Sequence, residues 1–297
     1  MSTFKTPTTD STLRLRDGRT FGYMEVGKID GPPIFHCHGS GSSRLEVNLL
    51  AAAATAQGVR LIGLDRPGIG RSDPKAGYRL LDWPADVAEV ADQLGIERFA
   101  IEGVSAGGPY AMACAYTIPH RLTACGLISS LAPSSFIRKA GPEWMRAVWW
   151  MGAQFPWLLR PYVRLVQRMT GGSDAARIEK WLVRYGPRLG AADHTVLANQ
   201  EIRKLLVQAM VESFRQGGEG NLQVALAGVQ PCGFQVEQIA FEKMFVWHGE
   251  QDHIVPVALA RLLAQALPHC TATFYPDEGH FSTVANHAQD ILNTLSI

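Results

Sequence analysis

The sequence lacks the usual features of secreted, membrane-spanning and nucleic-acid-binding proteins. Its five cysteines are scattered and odd in number, which argues against a disulfide framework and fits a reducing compartment. No uncharged apolar run reaches membrane-spanning length, and residues 1–10 lack the apolar core of a signal peptide. The formal net charge of +1 gives no reason to expect a nucleic-acid partner. We therefore expect a cytoplasmic protein without stable membrane insertion, and the composition is compatible with a homo-oligomer.

Internal repeats and low-complexity tracts are also missing, which argues against solenoids and disordered arrays. The chain does hold 46% hydrophobic residues with an ordinary charged fraction, enough for a sizeable core. Its 297 residues suit one large α/β domain with an insertion, or two small domains.

Short apolar segments alternate with helical ones through most of the chain. Residues 12–24 are typical of a β-hairpin with its turn at Asp17–Gly18. Further strands are predicted at 33–37, 59–64, 98–102, 123–129, 243–247 and 271–275, and helices at 44–57, 82–94, 106–117, 257–267 and after His280. Such alternation indicates a parallel sheet covered on both faces by helices.

The alternation is interrupted between residues 131 and 215. This interval contains five of the seven tryptophans, and its first 60 residues carry ten lysines and arginines against three acidic residues. It is predicted to be helical, with breaks at prolines and glycines. We interpret residues 131–215 as a helical lid inserted between two strands of a core formed by residues 1–130 and 216–297.

The pentapeptide Gly103–Gly107 has the form G-x-S-x-G, between a predicted strand and a predicted helix. In such a turn the two glycines let the chain reverse so sharply that only the serine protrudes. A serine hydroxyl becomes a nucleophile when it is presented in this way beside a base. Ser105 is therefore the candidate nucleophile.

The candidate base and its orienting acid follow strands near the end of the chain. His280 lies in a loop after a predicted strand and opens the last helix, which places it at the same sheet edge as Ser105. Asp252 lies in the loop after the preceding strand and is the predicted orienting acid. Glu250 and Asp277 remain alternatives for the acid.

Two backbone amides are candidates for an oxyanion hole. Ala106 directly follows the nucleophile, and Ser40 lies in a glycine-rich loop between a predicted strand and a predicted helix. His36 and His38 resemble a metal-binding pair, but no third ligand accompanies them, so we expect neither a metal nor another cofactor. Glu102 lies at the end of a central strand, where a carboxylate needs a partner that the sequence does not identify.

The order nucleophile, acid and histidine resembles that of the α/β-hydrolase superfamily. The resemblance covers nearly the whole chain and is closest to capped bacterial hydrolases that carry Ser-Arg (here Ser43–Arg44) after the oxyanion loop. It implies a mostly parallel, eight-stranded twisted sheet with helices on both faces and a helical lid. The stretch Asp65–Ser72 matches a turn common in these proteins, and we expect it to have no direct part in catalysis.

The predicted activity is hydrolysis of a carboxylic ester, thioester or lactone of a small-molecule substrate through an acyl-enzyme on Ser105. Carbon–carbon bond hydrolysis, cofactor-free oxygenation, hydroxynitrile cleavage and ligand binding without catalysis remain alternatives. Aromatic residues on a helical insertion are typical of apolar pockets. Four lid tryptophans are therefore candidate substrate-binding residues, unless they form the lid's own core: Trp144, Trp149, Trp150 and Trp157. The basic lid is also compatible with an anionic substrate or interface.

Overall fold

An eight-stranded sheet forms the centre of the computed structural model, which describes residues 9–297. The expectations for residues 1–8 lie outside this range. The strands are β1 (Thr9–Arg14), β2 (Thr20–Gly27), β3 (Pro33–Cys37), β4 (Arg60–Leu64), β5 (Phe99–Val104), β6 (Leu122–Ile128), β7 (Met244–Gly249) and β8 (Cys270–Tyr275). Their order is β1-β2-β4-β3-β5-β6-β7-β8, in which β3 to β8 run parallel and the β1–β2 and β2–β4 pairs are antiparallel. The predicted mostly parallel sheet is therefore confirmed.

Twelve α-helices accompany the sheet within the described residues. They are α1 (Ala51–Gln57), α2 (Trp83–Gln93), α3 (Gly108–Thr117), α4 (Ser134–Ala140), α5 (Glu143–Gln154), α6 (Leu159–Thr170), α7 (Ala175–Tyr185), α8 (Ala191–Ala198), α9 (Gln200–Ser213), α10 (Glu219–Val229), α11 (Val257–Ala266) and α12 (His280–Leu295). None of the helices in residues 9–297 has both the length and the apolarity needed to cross a bilayer.

Helices cover both faces of the sheet, as predicted. On one face, apolar side chains of α2, α3 and α11 pack around Phe35, Phe99 and Ile101. On the other face, α1 and α12 pack around Ile34, Leu61 and Ala100. The central strand β5 is buried along its whole length because it has neighbours on both edges and both faces. The carboxyl end of β5, which leads into Ser105, is therefore held rigidly.

The predicted helix over residues 44–57 is divided in the structure. Residues Arg44–Leu50 form a 3-10 helix, and α1 begins only at Ala51. The Asp65 carboxylate accepts a hydrogen bond from the Arg44 amide at 2.8 Å, and the Arg44 carbonyl packs so closely on Gly63 that a Cβ there would collide with it. The first turn is thus held tightly against β4.

Seven helices, α4 to α10, fill the chain between β6 and β7. The sequence analysis assigned residues 216–242 to the core without predicting a helix or strand there, whereas the structure forms α10 in them and packs it against α5 and α6. The lid boundaries at 131 and 215 stay a prediction. Helices α7 to α9 continue from this region over the carboxyl end of the sheet.

Candidate active site

Ser105 occupies a sharp turn between β5 and α3. Its φ angle is +54°, a left-handed value that is unusual for a residue with a side chain. The flanking glycines permit this turn because a Cβ on Gly103 would collide with the Gly107 backbone, and one on Gly107 with the Cys37 carbonyl. The strained turn directs the hydroxyl into a cavity, the geometry expected of a nucleophile elbow.

His280 and Asp252 form a buried pair at the same sheet edge. The His280 Nδ1 atom lies 2.7 Å from Asp252 Oδ2, and both residues are at most 6% exposed. The other Asp252 oxygen accepts the amides of Ile254 and Val255 at 2.8 and 2.7 Å. These bonds fix the carboxylate, so it can hold the imidazole in one orientation with Nε2 left for another partner.

The alternative acid Glu250 lies elsewhere. Its carboxylate forms an exposed ion pair with Arg261 and makes no hydrogen bond to His280. Among the described residues, no hydrogen bond joins the Ser105 hydroxyl to His280, although both side chains border the same cavity.

Neighbouring charges shift the pKa values of the buried pair. Burial by itself lowers the pKa of His280, but the carboxylates of Asp252, Asp193 and Glu46 outweigh it, and the pKa lies above its usual value of 6.5. Burial raises the pKa of Asp252, yet His280 and His248 outweigh it and hold that pKa below 3.8. Asp252 is therefore ionised at neutral pH, as an orienting acid must be.

Asp193 of α8 caps the helix that begins with His280. One of its carboxylate oxygens accepts the His280 amide at 2.8 Å, and the other accepts the amides of Phe281 and Ser282 at 2.9 Å each. The first amides of a helix have no partners within the helix and favour a nearby anion. A fully buried carboxylate from the inserted helices thus fixes the backbone of the candidate base.

Charged groups hold the loop that carries Ser40. The Glu46 carboxylate accepts the Gly39 amide at 3.2 Å, and Arg66 donates to the Gly39 carbonyl at 2.7 Å. That carbonyl belongs to the same peptide unit as the Ser40 N–H, so the bond from Arg66 orients and polarises this N–H. Arg66 also donates to the Ala106 carbonyl at 3.3 Å, and Ala106 lies in the first turn after the nucleophile.

A buried cluster beneath this loop supplies the missing partner of Glu102. His36 lies between two carboxylates, 2.9 Å from Glu102 Oε1 and 3.2 Å from Glu46 Oε1. Burial lowers the pKa of His36, but Glu102 and Glu46 outweigh it and raise the pKa to about 9. His36 is therefore a cation that neutralises a carboxylate, with both ring nitrogens engaged.

The cavity beside Ser105 has a volume of about 290 Å³ and a mostly apolar lining. The polar residues that line it are His36, Ser40, Ser42, Glu46, Ser105 and His280. Apolar side chains of α7, α8, α9, α12 and the 3-10 helix form its walls: Leu49, Leu50, Trp181, Leu182, Val196, Ile202, Leu206, Met210, Phe281 and Val284. Two wider surface depressions contain neither Ser105 nor His280.

The four tryptophans predicted to bind substrate do not line this cavity. Trp144, Trp150 and Trp157 are 60, 56 and 69% exposed. Trp149 packs inward beside Leu159 and borders a separate small void next to Ala106. Trp144 and Trp150 are outside because α5 turns Met145, Trp149 and Gly152 toward neighbouring helices. Trp157 lies in the following 3-10 turn, Pro156–Leu158, which has no buried residue.

Trp181 lines the cavity instead, and the sequence analysis did not select it. Asp193, Glu46 and Arg66 were also missed as supports of the site. The contacts of Asp193 and Arg66 with the site join segments far apart in the chain, and the sequence marks Arg66 only as part of the Asp65–Ser72 turn. Glu46 is nearer in sequence, seven residues from Gly39, but no motif marks it.

Comparison with known proteins identifies the fold family of the chain. Residues 32–285 match the family model described as alpha/beta hydrolase fold. The chain is 25% identical over 268 residues to 2-hydroxymuconate semialdehyde hydrolase of Pseudomonas putida, covering 88% of this chain and 84% of that protein. An esterase from Exiguobacterium antarcticum superposes with a TM-score of 0.74 at 17% identity, covering 97% of this chain and all of the esterase.

A further relative is much longer than this chain. The dihydrolipoyllysine-residue acetyltransferase component of the acetoin cleaving system of Cupriavidus necator is 27% identical over 271 residues. The match covers 91% of this chain but only 62% of that protein.

Proposed function

Because the chain belongs to the alpha/beta hydrolase fold family, we propose that it is a serine hydrolase of carboxylic esters, thioesters or lactones. The observation that carries the proposal is the buried His280–Asp252 pair, whose histidine borders the same cavity as Ser105 on its strained turn. A nucleophile, a base and an orienting acid in these positions are the parts that acyl transfer needs.

The reaction begins when Ser105 Oγ attacks the carbonyl carbon and His280 Nε2 takes the hydroxyl proton. The imidazolium that forms is stabilised by Asp252 at 2.7 Å. It then gives the proton to the departing alcohol or thiol, and the acyl group stays on Ser105. Water repeats the attack with the same base, which releases the acid and restores the serine.

The N–H groups of Ser40 and Ala106 bind the oxyanion in this proposal. The Ser40 amide donates to no protein acceptor within the described residues, which leaves it available to a ligand. Arg66 and Glu46 act as positioning residues, since Arg66 binds the Gly39 carbonyl and Glu46 binds the Gly39 amide. Preorganised donors of this kind supply a large part of the barrier reduction in acyl transfer.

The cavity favours a small to medium apolar group on the substrate. Its walls are mostly apolar, and its few polar residues include Ser105 and His280. Helices α7 to α9 supply most of the wall on the side away from the sheet, so we assign them the role of a lid. Trp181 takes the substrate-contacting role that the sequence analysis gave to other tryptophans.

A series of p-nitrophenyl esters of increasing acyl length tests the proposal. Release of nitrophenol should depend on Ser105 and reach an optimum at a length set by the cavity. A fluorophosphonate probe should label the wild type at Ser105 and leave Ser105→Ala unlabelled. Absence of both turnover and labelling would indicate a ligand-binding protein and refute the proposal.

Carbon–carbon bond hydrolysis is the second candidate. It is favoured by the similarity to a hydrolase of 2-hydroxymuconate semialdehyde, which is not an ester. The two activities need the same nucleophile and base but different pocket chemistry. Labelling of Ser105 without turnover of any ester length would favour this second candidate.

A further inference from the structure

Exposed apolar side chains are concentrated in one part of the molecule. Within residues 9–297, nine of the fourteen large hydrophobic side chains that are strongly exposed fall between residues 144 and 169. They are Trp144, Trp150, Met151, Phe155, Trp157, Tyr162, Leu165, Val166 and Met169. Scattered exposed hydrophobics need no explanation, but a cluster indicates an interaction surface. We call these nine residues the α5–α6 face.

Helix α6 shows why this face has no partner within the fold. Its inner side packs Leu159 and Val163 against α10. A second stripe at helical spacing, Tyr162, Leu165, Val166 and Met169, points to solvent, and Met169 is 66% exposed. The apolar surface of α6 is therefore wider than the part of it that packs inside the protein.

The preceding helix and loop extend the same surface. The rings of Trp150 and Phe155 meet edge to face at 6.1 Å, and those of Phe155 and Trp157 at 6.4 Å. Gly152 faces inward, where a Cβ would lie 3.0 Å from Val229, so the backbone of α5 is packed tightly beneath. The aromatic cluster is therefore supported by a well-packed helix.

Cations outnumber acidic groups beside this apolar surface, although Glu143 borders the same depression as Arg138, Arg146 and Trp150. Arg160 is paired with Glu219 at 2.7 Å, but no other ion pair in the described residues involves the cations nearest the face. These exposed, unpaired groups are Arg138, Lys139, Arg146, Arg164 and Arg168. On α6, Arg164 and Arg168 are one turn apart and lie together on one side of the apolar stripe, next to Leu165.

The charge decides which occupant suits the face. A second copy docked face to face would bring the same arginines together around the contact, and like charges would oppose it. An anionic lipid surface complements these cations, while tryptophan and tyrosine rings favour the depth of lipid headgroups. We propose that the α5–α6 face docks on the surface of an anionic phospholipid bilayer. This inference does not depend on the proposed function.

Vesicle co-sedimentation of the full chain tests the proposal. Vesicles of phosphatidylcholine mixed with phosphatidylglycerol should bind the protein, and vesicles of phosphatidylcholine alone should bind it much more weakly. Binding should fall as ionic strength rises, because the lipid charges are then screened. Tryptophan emission should shift to the blue on binding, as exposed rings leave water.

Paired variants assign the binding to the face. Trp150→Ser/Trp157→Ser and Arg164→Gln/Arg168→Gln should each weaken binding by about tenfold or more, because the first variant removes apolar area and the second removes two cations attracted to anionic lipid. Lys28→Gln/Ile29→Ser is the matched control, since it removes one exposed cation and one exposed hydrophobic elsewhere and should change nothing. All six positions are exposed, so these variants should fold.

Three results would overturn the proposal. One is a lack of binding to phosphatidylglycerol vesicles at low salt. Another is binding that the control variant weakens as much as the face variants do. The third is a dimer in sedimentation analysis that becomes a monomer in the tryptophan variant, together with a monomer that does not bind vesicles. That result would show that the face is a contact between copies.

Discussion

At the scale of single residues, Arg66 is the most informative side chain besides the candidate residues Ser105, His280 and Asp252. It is 1% exposed and donates to the Gly39 carbonyl, whose peptide unit carries the Ser40 N–H. The sequence marks it only as part of a structural turn, because a motif shows which residues are adjacent in the chain but not which peptide unit they support.

Arg66→Gln should lower kcat by about tenfold to a hundredfold, less than the loss of an oxyanion donor itself. KM should change little, because the donor acts mainly in the transition state. Steady-state kinetics with one p-nitrophenyl ester measures both constants. Arg66→Lys keeps the charge and should recover part of kcat, whereas equal loss in both variants together with a lowered Tm would indicate a merely structural role.

Asp252→Asn should reduce turnover by a factor on the order of 10⁴, as expected when the histidine loses its orienting acid. His280 acts as a base only when neutral, so kcat/KM of the wild type should rise with pH through an inflection above 6.5. The substitution removes the main cause of the raised pKa and should move the inflection to lower pH. Glu250→Gln is the control, and a crippled control beside an active Asp252→Asn would refute the assignment.

The raised pKa of His36 predicts that the stability of the protein depends on pH. The pKa of this side chain is raised by folding from 6.5 to about 9, so its contribution is fully present below pH 6.5 and is lost as the pH rises through about 9. That shift corresponds to roughly 3 kcal/mol. Urea titrations below pH 6.5 and above pH 9 measure the free energy of unfolding. It should be lower at the higher pH in the wild type, and the decrease should be smaller in Glu102→Gln. Parallel curves for the two proteins would contradict the pairing.

At the scale of elements, the N-terminus of α12 depends on a residue from another part of the chain. Asp193 accepts three of its first amides. Asp193→Ala should lower the free energy of unfolding by about 2 kcal/mol, since it removes a cap and leaves buried donors unpaired. Asp290→Ala, on the exposed side of the same helix, should change it by less than about 0.5 kcal/mol. Equal effects in denaturant titrations would show that the cap contributes nothing.

Element positions were largely predictable because apolar periodicity depends on local sequence. The strand predicted at residues 33–37 has the bounds of β3, and the helices after Ser105 and from His280 begin within two residues of their predicted starts. Helix α10 was missed, since residues 216–242 gave no clear period. The tryptophan prediction counted aromatic residues without their phase on α5, and phase is set by packing against α10 and α6.

At the scale of the whole molecule, the parallel sheet brings the candidate site together. The carboxyl ends of β3, β5, β7 and β8 lie at one edge, so the loops with Ser40, Ser105, Asp252 and His280 converge there. This convergence could be inferred from the order of strands and helices. The contact from Asp193 to His280 could not, because it spans 87 residues and depends on how the inserted helices pack.

The most direct test of the central claim is intact-mass spectrometry of the protein mixed with a p-nitrophenyl ester and quenched during turnover. The account predicts an added acyl mass on the peptide that contains Ser105, with no adduct and no nitrophenol release above background in Ser105→Ala. Wild-type rates in Ser105→Ala, or an acyl group on another residue, would contradict it.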